Sequence, residues 1–347
     1  MEEELKPLIG MSLTQLQAVA LENGMRRFAG GQMARWLYQK RVESIDEMTD
    51  LPKSARETLG RRYCVGRETP LARAVSVDGT VKYLFRGAVD RDVESVMIPD
   101  RDRATLCVSS QAGCRMGCRF CMTGRQGFHG QLTCAQIINQ VLSVEESADL
   151  TNAVFMGMGE PMDNFNEVVA AIEVMTAEWG LGWSPKRITV SSVGKIRELK
   201  ELIERTKVHV AISVHSPYAD ERASLMPVEK AYALTDVVGM LRGYDWAHQR
   251  RLSVEYIMWR GLNDDMRHAD ALARLLRGLH CRVNLIRFHS IPGSDLQTTD
   301  EARMVAFRDR LNDLGLTATI RASRGEDIMA ACGMLAGAQR EKRNKQQ

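Results

Sequence analysis

The sequence predicts an α/β fold, a partial (β/α)6 barrel that carries a small helical domain and a β-hairpin extension on its N-terminal side. Three observations support this prediction. From Cys121 onward, six apolar strand-like runs alternate with segments of helical spacing, a pattern typical of βα units around a parallel sheet. The first 70 residues show helical spacing alone. A strong hairpin signal, Asp78-Gly79, lies between these two regions.

Residues 1–70 are predicted to form the helical domain. Its segment SLTQLQAVALENG begins at Ser12, a favourable N-cap residue, and ends at Gly24. Residues 71–104 are predicted to form the β-hairpin extension, because LARAVSVDGTVKYLFRG alternates in polarity around its central turn. Two more short strands are predicted in DVESVMIPD and ATLCVSS.

Residues 105–337 are predicted to form the core of the barrel. Its six strand-like runs are NAVFMGMG, RITVSS, VHVAISVH, RLSVEYIMW, RVNLIRFH and ATIRAS. In folds of this class, ligands bind at the carboxyl ends of the strands. Candidate ligand-binding residues cluster at those ends, namely Gly157, Glu160, Ser191, Ser213, His215 and His289.

The bulk composition is that of a globular protein, with 44% hydrophobic and 26% charged residues among 347. No apolar stretch is long enough to cross a bilayer, and the N-terminus lacks the apolar region of a signal peptide. We therefore expect a cytoplasmic protein with no membrane partner. The net charge of +3 permits a nucleic-acid partner without indicating one. The basic segment 338–347 is expected to be disordered.

Three cysteines, Cys114, Cys118 and Cys121, have the spacing C-x3-C-x2-C. In a reducing compartment, clustered cysteines are more typical of metal ligands than of disulfides. A zinc ion would need a fourth ligand, for which Cys134 and His129 are the neighbouring candidates. A 4Fe–4S cluster on three cysteines would leave one iron free to bind a substrate or cofactor. The spacing alone does not decide between these two sites.

The residues around these cysteines resemble the cluster motif of the radical S-adenosylmethionine (SAM) superfamily, in which Phe120 is the aromatic residue before the last cysteine. Together with the segments FMGMGEPMDN, RITVSSVG, AISVHSPYADERASLMP and RGEDIMAACGMLAG, they resemble the RlmN/Cfr family of RNA methyltransferases. The resemblance extends from about Gln32 to Gly337. It implies that residues 105–337 form a radical SAM core, and that the three cysteines hold a 4Fe–4S cluster whose open iron binds SAM.

The resemblance also implies a set of SAM contacts. Gly159 and Glu160 match the glycine-rich segment near the amino group of SAM. Three residues at later strand ends match further cofactor contacts, namely Ser191, Ser213 and His215. His289 stands where many family members have Asn. Imidazole can make one hydrogen bond there but lacks the paired geometry of an amide.

Three more residues are implied in the chemistry. By resemblance, Cys332 is methylated on sulfur and carries the methylene to RNA, and Cys107 resolves the protein–RNA adduct by forming a disulfide. Glu94 matches a carboxylate near the target adenine. Without the resemblance, Cys107 would be interpreted as an apolar filler and Glu94 as an exposed strand residue. The scheme requires two cysteines outside the cluster because adenine carbon 2 or carbon 8 is electron-poor and must be attacked by a carbon radical.

The implied activity is methylation of adenine carbon 2 in 23S rRNA, with tRNA as a further candidate substrate and a reductant such as flavodoxin. The segments SVHSPYADERASLMP and VNLIRFH are more similar to the carbon-8, antibiotic-resistance branch, whereas SIDEMTDLPK and SRGEDI are more similar to the housekeeping branch. We favour carbon 2 because that branch is commoner. Two other classes stay open: a zinc-stabilised RNA-binding protein without catalysis, and a radical enzyme that acts on a small molecule. A monomer is expected.

Overall fold

The N-terminal unit is mainly helical, as predicted. The computed structural model describes residues 5–88, 91–248 and 251–329. Within them this unit comprises β1 (Lys6–Pro7), α1 (Leu13–Glu22), α2 (Ala29–Ala34), α3 (Lys53–Gly60) and β2 (Tyr63–Cys64). Ser12 caps α1 as predicted, because its hydroxyl accepts a hydrogen bond from Gln15 N while its own N–H donates to Gln15 Oε1.

The predicted hairpin is confirmed, and two further strands follow it. The four strands are β3 (Ala72–Val75), β4 (Val81–Arg86), β5 (Asp92–Asp100) and β6 (Arg103–Cys107). They pair in antiparallel fashion in chain order. The turn between β3 and β4 has Gly79 at φ +82°, and Asp78 accepts a hydrogen bond from Thr80 N. A side chain at position 79 would be disfavoured in this left-handed conformation.

The rest of the chain alternates strands and helices, and all six predicted strand-like runs form strands. The elements are β7 (Gln111–Gly113), α4 (Met122–Arg125), β8 (Phe128–Gln131), α5 (Cys134–Ser143), β9 (Asn152–Phe155), α6 (Phe165–Thr176), β10 (Ile188–Ser192), α7 (Ile196–Arg205), β11 (His209–Ser213), α8 (Ala219–Leu225), α9 (Leu234–Leu241), β12 (Leu252–Met258), α10 (Met266–Leu276), β13 (Arg282–Arg287), α11 (Glu301–Asp313) and β14 (Thr317–Ile320). None of the helices in the described ranges has the length and apolarity needed to span a membrane.

One sheet joins the hairpin extension to the barrel. Its strand order is β14-β13-β12-β11-β10-β9-β6-β5-β4-β3. Strands β6 and β9 to β14 are parallel to one another, so six helical connections join seven parallel strands. The segment ATLCVSS, which we predicted apart from the six barrel strands, forms β6 and pairs with both β5 and β9. The predicted boundary between residues 104 and 105 therefore falls inside a strand of the sheet.

The parallel strands have an apolar face and a polar face. In β12, Val254 and Tyr256 belong to the hydrophobic core, whereas Ser253 and Glu255 line a cavity of about 1360 Å³. Cys107 and His289 line the same cavity. Side chains alternate between the two faces of a strand. In each strand, therefore, every second residue packs into the hydrophobic core, and the residues between them face the polar cavity.

The N-terminal unit packs closely against the barrel, and one hydrophobic core extends through both. Tyr38 contacts Trp179 with ring centroids 5.8 Å apart, and its hydroxyl donates to Met11 O. Gly10 has φ +81° and lies against the start of α5, where a Cβ atom would come within 2.4 Å of Ala135 N. This contact leaves no room for a side chain at position 10.

We expect Gly10→Ala to destabilise the protein more than Gly24→Ala does. Both glycines have positive φ, +81° and +73°, so both substitutions strain the backbone by about 1–2 kcal/mol. At position 24 a Cβ meets nothing within 4 Å, whereas at position 10 it meets backbone atoms that must move. We expect an additional loss of about 1–3 kcal/mol for Gly10→Ala. Urea denaturation of the two variants measures the difference, and equal losses would contradict the close packing.

Candidate active site

The three clustered cysteines occupy a loop between β7 and α4. Cys114 N donates to Gly127 O at 3.0 Å, which fixes the start of the loop to the residues before β8. Gly113 has φ +76°, and a Cβ atom there would lie 1.8 Å from the same Gly127 oxygen. On the other side, Arg119 N donates to Leu225 O at 3.0 Å. The loop therefore takes its shape from the segments on either side of it.

The environment of the three thiols fits an iron–sulfur cluster. Cys114 and Cys118 are buried and Cys121 is half-buried. Burial raises the pKa of Cys114 to about 12, with a smaller contribution from nearby Cys121, and it also raises the pKa of Cys118. Thiolates in this position need a metal charge to compensate for their desolvation. Three soft sulfur ligands on one buried loop suit an iron–sulfur cluster.

Cys134, one of the candidate fourth ligands of a zinc site, has a buried environment of its own. Cys134 is buried at the start of α5, where its N–H donates to Glu167 at 2.6 Å. Burial raises the pKa of Cys134 to about 12, with Glu167 and Glu173 as the neighbouring charges. Among the described residues, no three His, Cys, Asp or Glu side chains converge closely enough to hold a single metal ion, those of Cys114, Cys118 and Cys121 included, so this result does not separate zinc from a cluster.

The glycines after β9 are required by contacts within the protein. A Cβ atom on Gly157 would lie 2.7 Å from Ser109 Oγ. Gly159 has φ +98°, and its Cβ would lie 2.5 Å from Gln111 Cβ. Both contacts are with the chain from Ser109 to Gln111, which leads from β6 into β7. The turn is thereby fixed to the segment that leads into the cysteine loop.

Glu160 is a buried carboxylate that links the ends of two strands. Its Oε1 accepts from Met162 N at 3.2 Å and its Oε2 accepts from Val193 N at 3.1 Å. Burial raises the pKa of Glu160 to about 7. Glu160 also accepts a hydrogen bond from the side chain of Ser192. Since a carboxylate offers about four acceptor positions, these three protein hydrogen bonds leave acceptor capacity for a ligand.

The three residues predicted at the ends of β10 and β11 differ in their surroundings. Ser191 and Ser213 are half-buried. Ser191 lies two residues after Thr189 on β10, and Ser213 lies four residues after His209 on β11. Because side chains alternate along a strand, each serine is on the same face as the cavity-lining residue before it. His215 is instead 3% exposed, and its Nδ1 accepts from Ile257 N at 3.1 Å. That hydrogen bond makes Nε2 the protonated nitrogen of the neutral ring.

A second apolar cluster covers the carboxyl ends of β11 and β12. The ring of Phe120, from the cysteine loop, lies 4.8 Å from His215 and 5.1 Å from Trp259. Cys118 belongs to the same cluster, together with Leu225. The aromatic residue before the last cysteine therefore attaches the loop to the strand ends, a role that the spacing of the motif did not reveal.

Arg222 is a site residue that the sequence analysis missed. It is fully buried in α8 and donates to the carbonyl oxygens of Val193, Ser213 and Val214 at 2.9–3.2 Å. Its guanidinium also forms an ion pair with Glu229. Arg222 thereby satisfies carbonyl groups at the ends of β10 and β11, which the sheet ladder leaves unpaired. Its place in the charged run ADERAS offered no signal of burial, because such runs are usually solvated helix faces.

Glu94 and Cys107 lie on neighbouring strands of the antiparallel region. Glu94 is 2% exposed, which corrects the interpretation of it as an exposed strand residue. Its carboxylate lies 3.8 Å from Lys82 Nζ. Cys107 is half-buried and pairs with Val96 on β5. No two cysteines of the described ranges are joined by a disulfide, so the expected disulfide is not supported.

The segment after β14 returns to the hairpin. Gly325 N donates to Asp78 at 3.0 Å, and Val77 N donates to Asp327 at 3.1 Å. The hydrogen bond from Gly325 holds the pKa of Asp78 well below its usual range. Cys332 lies outside the described residues, three positions beyond Met329, where the described part of this segment ends. His289 is exposed and lines the cavity.

We expect His215→Asn to reduce the acid sensitivity of the cofactor-free protein. Burial lowers the pKa of His215 to about 3, below the ordinary 6.5. The unfolded chain therefore binds the proton first, and stability is lost as the pH falls from 6.5 toward 3, by about 3–5 kcal/mol in total. Asn tolerates the positive φ of position 215, which is +61°.

The measurement is the free energy of unfolding between about pH 7 and about pH 4, where the variant should lose less stability than the wild type. The control is His248→Asn, because the side chain of His248 is 81% exposed. If His215→Asn has the same pH slope as the wild type, the buried neutral ring is not the cause of the acid sensitivity.

Comparison with known families supports the geometry. Residues 108–273 match the radical SAM superfamily. Residues 6–65 match the ribosomal RNA large subunit methyltransferase N-terminal domain. The first match begins directly after β6 and includes the cysteine loop, and the second covers the helical N-terminal unit.

Similar proteins extend over nearly the whole chain. The probable dual-specificity RNA methyltransferase RlmN of Bacteroides thetaiotaomicron is 56% identical over 339 residues, which cover 98% of each chain. The dual-specificity RNA methyltransferase RlmN of Syntrophotalea carbinolica is 40% identical over 331 residues, which cover 95% of this chain and 89% of that protein. The crystal structure of a radical SAM methyltransferase from Sphaerobacter thermophilus matches with a TM-score of 0.89 and 36% identity, covering 94% of this chain and 98% of that chain. The chain therefore belongs to the RlmN family of radical SAM RNA methyltransferases.

Proposed function

We propose that this protein methylates carbon 2 of adenine in 23S rRNA, with tRNA as a second substrate, through a methylcysteine intermediate. Family membership supports RNA methylation in general. The observation that carries the proposal is the position of Cys107, a thiol outside the cysteine loop that lines the cavity on the strand next to the buried Glu94. A SAM-dependent enzyme that methylated by simple displacement would not need this thiol.

We propose that Cys114, Cys118 and Cys121 hold a 4Fe–4S cluster. When bound, the cluster and SAM would supply the one-electron chemistry that activates a methyl group, and they would accept the one electron that the ring gives up when its proton leaves. The buried Glu160 has acceptor positions for the ammonium of SAM. The other proposed SAM contacts lie at strand ends. Ser191 and Ser213 offer hydroxyl groups, and His215 and His289 offer imidazole groups. Gly159 offers only its backbone.

The chain's own side chains then complete the reaction. The thiol of Cys332 loses its proton and takes the methyl group of one SAM, which leaves as S-adenosylhomocysteine. One hydrogen atom of that methyl group would pass to the deoxyadenosyl group of a second SAM, and Cys332 presents the remaining methylene to the adenine ring. Glu94 takes the proton from the ring carbon to which the methylene has bonded. The Cys107 thiolate bonds to the sulfur of Cys332 as the sulfur–methylene bond breaks. The electron pair of that bond stays on the carbon, which takes up a proton and becomes the methyl group.

The N-terminal unit is the proposed RNA-holding part, because residues 6–65 match a domain found in ribosomal RNA methyltransferases. The target base must leave its stack to reach a cavity lined by strands. A reductant such as flavodoxin would supply electrons. We further propose that the protein acts as a monomer in the cytoplasm, where its RNA substrates are.

We expect protein purified without oxygen to contain iron and sulfide, and replacement of all three loop cysteines by Ala to remove both. The triple variant should also lose SAM cleavage, because no ligands remain to hold the cluster. The matched control is Cys134→Ala, which removes a buried cysteine of α5. It should keep its iron and sulfide. Zinc in place of iron, or loss of metal in the control, would favour the zinc alternative.

We expect Cys107→Ala protein made in cells to carry covalently attached RNA. This variant can still methylate Cys332 and add to the ring, but it has no thiol to break the link. Cys332→Ala should carry neither methylcysteine nor RNA. The measurement is a denaturing gel with and without ribonuclease.

Mass spectrometry of the nucleoside released from wild-type product identifies the methylated position. A methyl group on carbon 8 would replace the carbon-2 proposal, and the absence of methylated adenosine would refute both. A folded Cys107→Ala protein that retains its iron and carries no RNA would refute the assigned roles of the two cysteines.

A further inference from the structure

Lys82 is a fully buried lysine on the cavity side of β4. Its side chain has 0% exposure. It pairs across the sheet with Val96, which lines the cavity. Tyr83 and Phe85, on the opposite face of β4, belong to the hydrophobic core. Lysine is almost never fully buried unless it is paired. The position therefore needs an explanation beyond packing.

The partner of Lys82 is the carboxylate of Glu94, 3.8 Å away and 1% exposed. Two buried charges are expensive to desolvate, and apolar residues of similar volume often serve stability as well. A buried ion pair is therefore weak support for a stabilising role. It is better explained by the need for a charged carboxylate at this place.

The backbone of Glu94 is held from both sides. Its N–H donates to Met158 Sδ at 3.3 Å, and its carbonyl accepts from Ser109 Oγ at 2.5 Å. Ser109 Oγ in turn accepts from Met158 N at 2.8 Å. With the main chain fixed in this way, the side-chain torsions of Glu94 set the direction of its carboxylate, and Lys82 is a buried cation 3.8 Å from it.

Lys82 also shares a row of the sheet with Cys107, a further group of the proposed reaction. Lys82, Val96 and Cys107 form one row across β4, β5 and β6. Since neighbouring strands are about 4.8 Å apart, the row spans about 10 Å. The Lys82 ammonium also donates to the carbonyl of Met329, three residues before Cys332. An ammonium, a carboxylate and a thiol therefore share one face of the sheet, at the point where the Cys332 segment arrives.

We propose that Lys82 is a positioning residue for Glu94, which holds the carboxylate charged and aimed into the cavity so that it can take the proton from the adenine ring carbon. The inference rests on the proposed function. Lys82 acts through Glu94 and does not itself touch the ring. Its ammonium keeps its proton throughout, so the ring proton passes only to the Glu94 carboxylate.

The test compares four forms of the cluster-loaded protein: wild type, Lys82→Met, Glu94→Gln and the double variant. Each is assayed with RNA whose adenosines carry either hydrogen or deuterium at the ring carbons. In Lys82→Met we expect product formation to fall about 10- to 100-fold, part of the gain that a positioned general base provides. Deuterium should slow this variant more than the wild type, because removal of the ring proton then limits the rate. Methylcysteine at position 332 should still form.

The double variant keeps the proposal testable if Lys82→Met fails to fold. Lys82→Met alone removes the buried cation next to a buried carboxylate, whereas the double variant has no charge at either position. If Lys82 acts through Glu94, the double variant should be as slow as Glu94→Gln alone. Lys82→Arg, which keeps a cation, should recover part of the activity.

Three results would overturn the proposal. The first is wild-type turnover in Lys82→Met. The second is a slow Lys82→Met with no added deuterium effect. The third is a Lys82→Met substitution that slows Glu94→Gln by the same factor as it slows the wild type, since Lys82 would then act independently of Glu94. A wild-type protein that makes no methylated RNA would instead refute the proposed function, so the two failures are distinguishable.

Discussion

The site depends on the burial of one short cysteine loop against the carboxyl ends of the parallel strands. Phe120 and Cys118 lie in an apolar cluster with Trp259, and only a few main-chain hydrogen bonds hold the loop itself. The same apolar contacts that fix the loop make bare thiolates unfavourable, because burial raises the pKa of Cys118, a member of that cluster. Shape and chemistry are therefore coupled, because a loop in this environment favours a metal cluster whose charge offsets that of its sulfur ligands.

The ends of parallel strands also present unpaired backbone groups, and buried charged side chains satisfy them here. Arg222 donates to three carbonyl oxygens at the ends of β10 and β11, and Glu160 accepts from two N–H groups nearby. A single hydrogen bond of this charged type contributes about 1.5–3 kcal/mol, and leaving a buried group without its partner costs a similar amount. These charges are thus part of the fold, and they bring the segments around the cofactor site to fixed positions.

Much of this arrangement could be predicted from the sequence, because it rests on local patterns. The capped helix at Ser12, the hairpin at Asp78-Gly79 and the six strand-like runs all form as predicted. The cysteine spacing correctly singled out one loop. The rest depends on contacts between distant segments. The burial of Arg222 has no local signature, since a charged helical run is normally exposed.

The glycine turn after β9 shows a different limit of sequence reasoning. A glycine next to a strand indicates that another group packs closely against the backbone there, but the sequence does not identify that group. Gly157 and Gly159 are required by the segment between β6 and β7, which lies next to them only because β6 pairs with β9. The sequence analysis had separated ATLCVSS from the barrel strands, so this neighbour could not be identified. Cys332 was the other prediction that local structure could not address, because it lies outside the described residues.

Strand β6 explains how the two halves of the site are connected. On one edge it is antiparallel to β5, which carries Glu94, and on the other it is parallel to β9, which leads to Glu160. Its last residue is Cys107, and the cysteine loop begins at Cys114, only one short segment later. The proposed cofactor contacts follow the parallel strands. Lys82 and Glu94 lie on the antiparallel strands β4 and β5, and the Cys107 thiol lies on β6, which belongs to both regions. The hairpin extension is therefore a structural part of the cavity, and a barrel without it would keep its cysteine loop but lose Lys82 and Glu94.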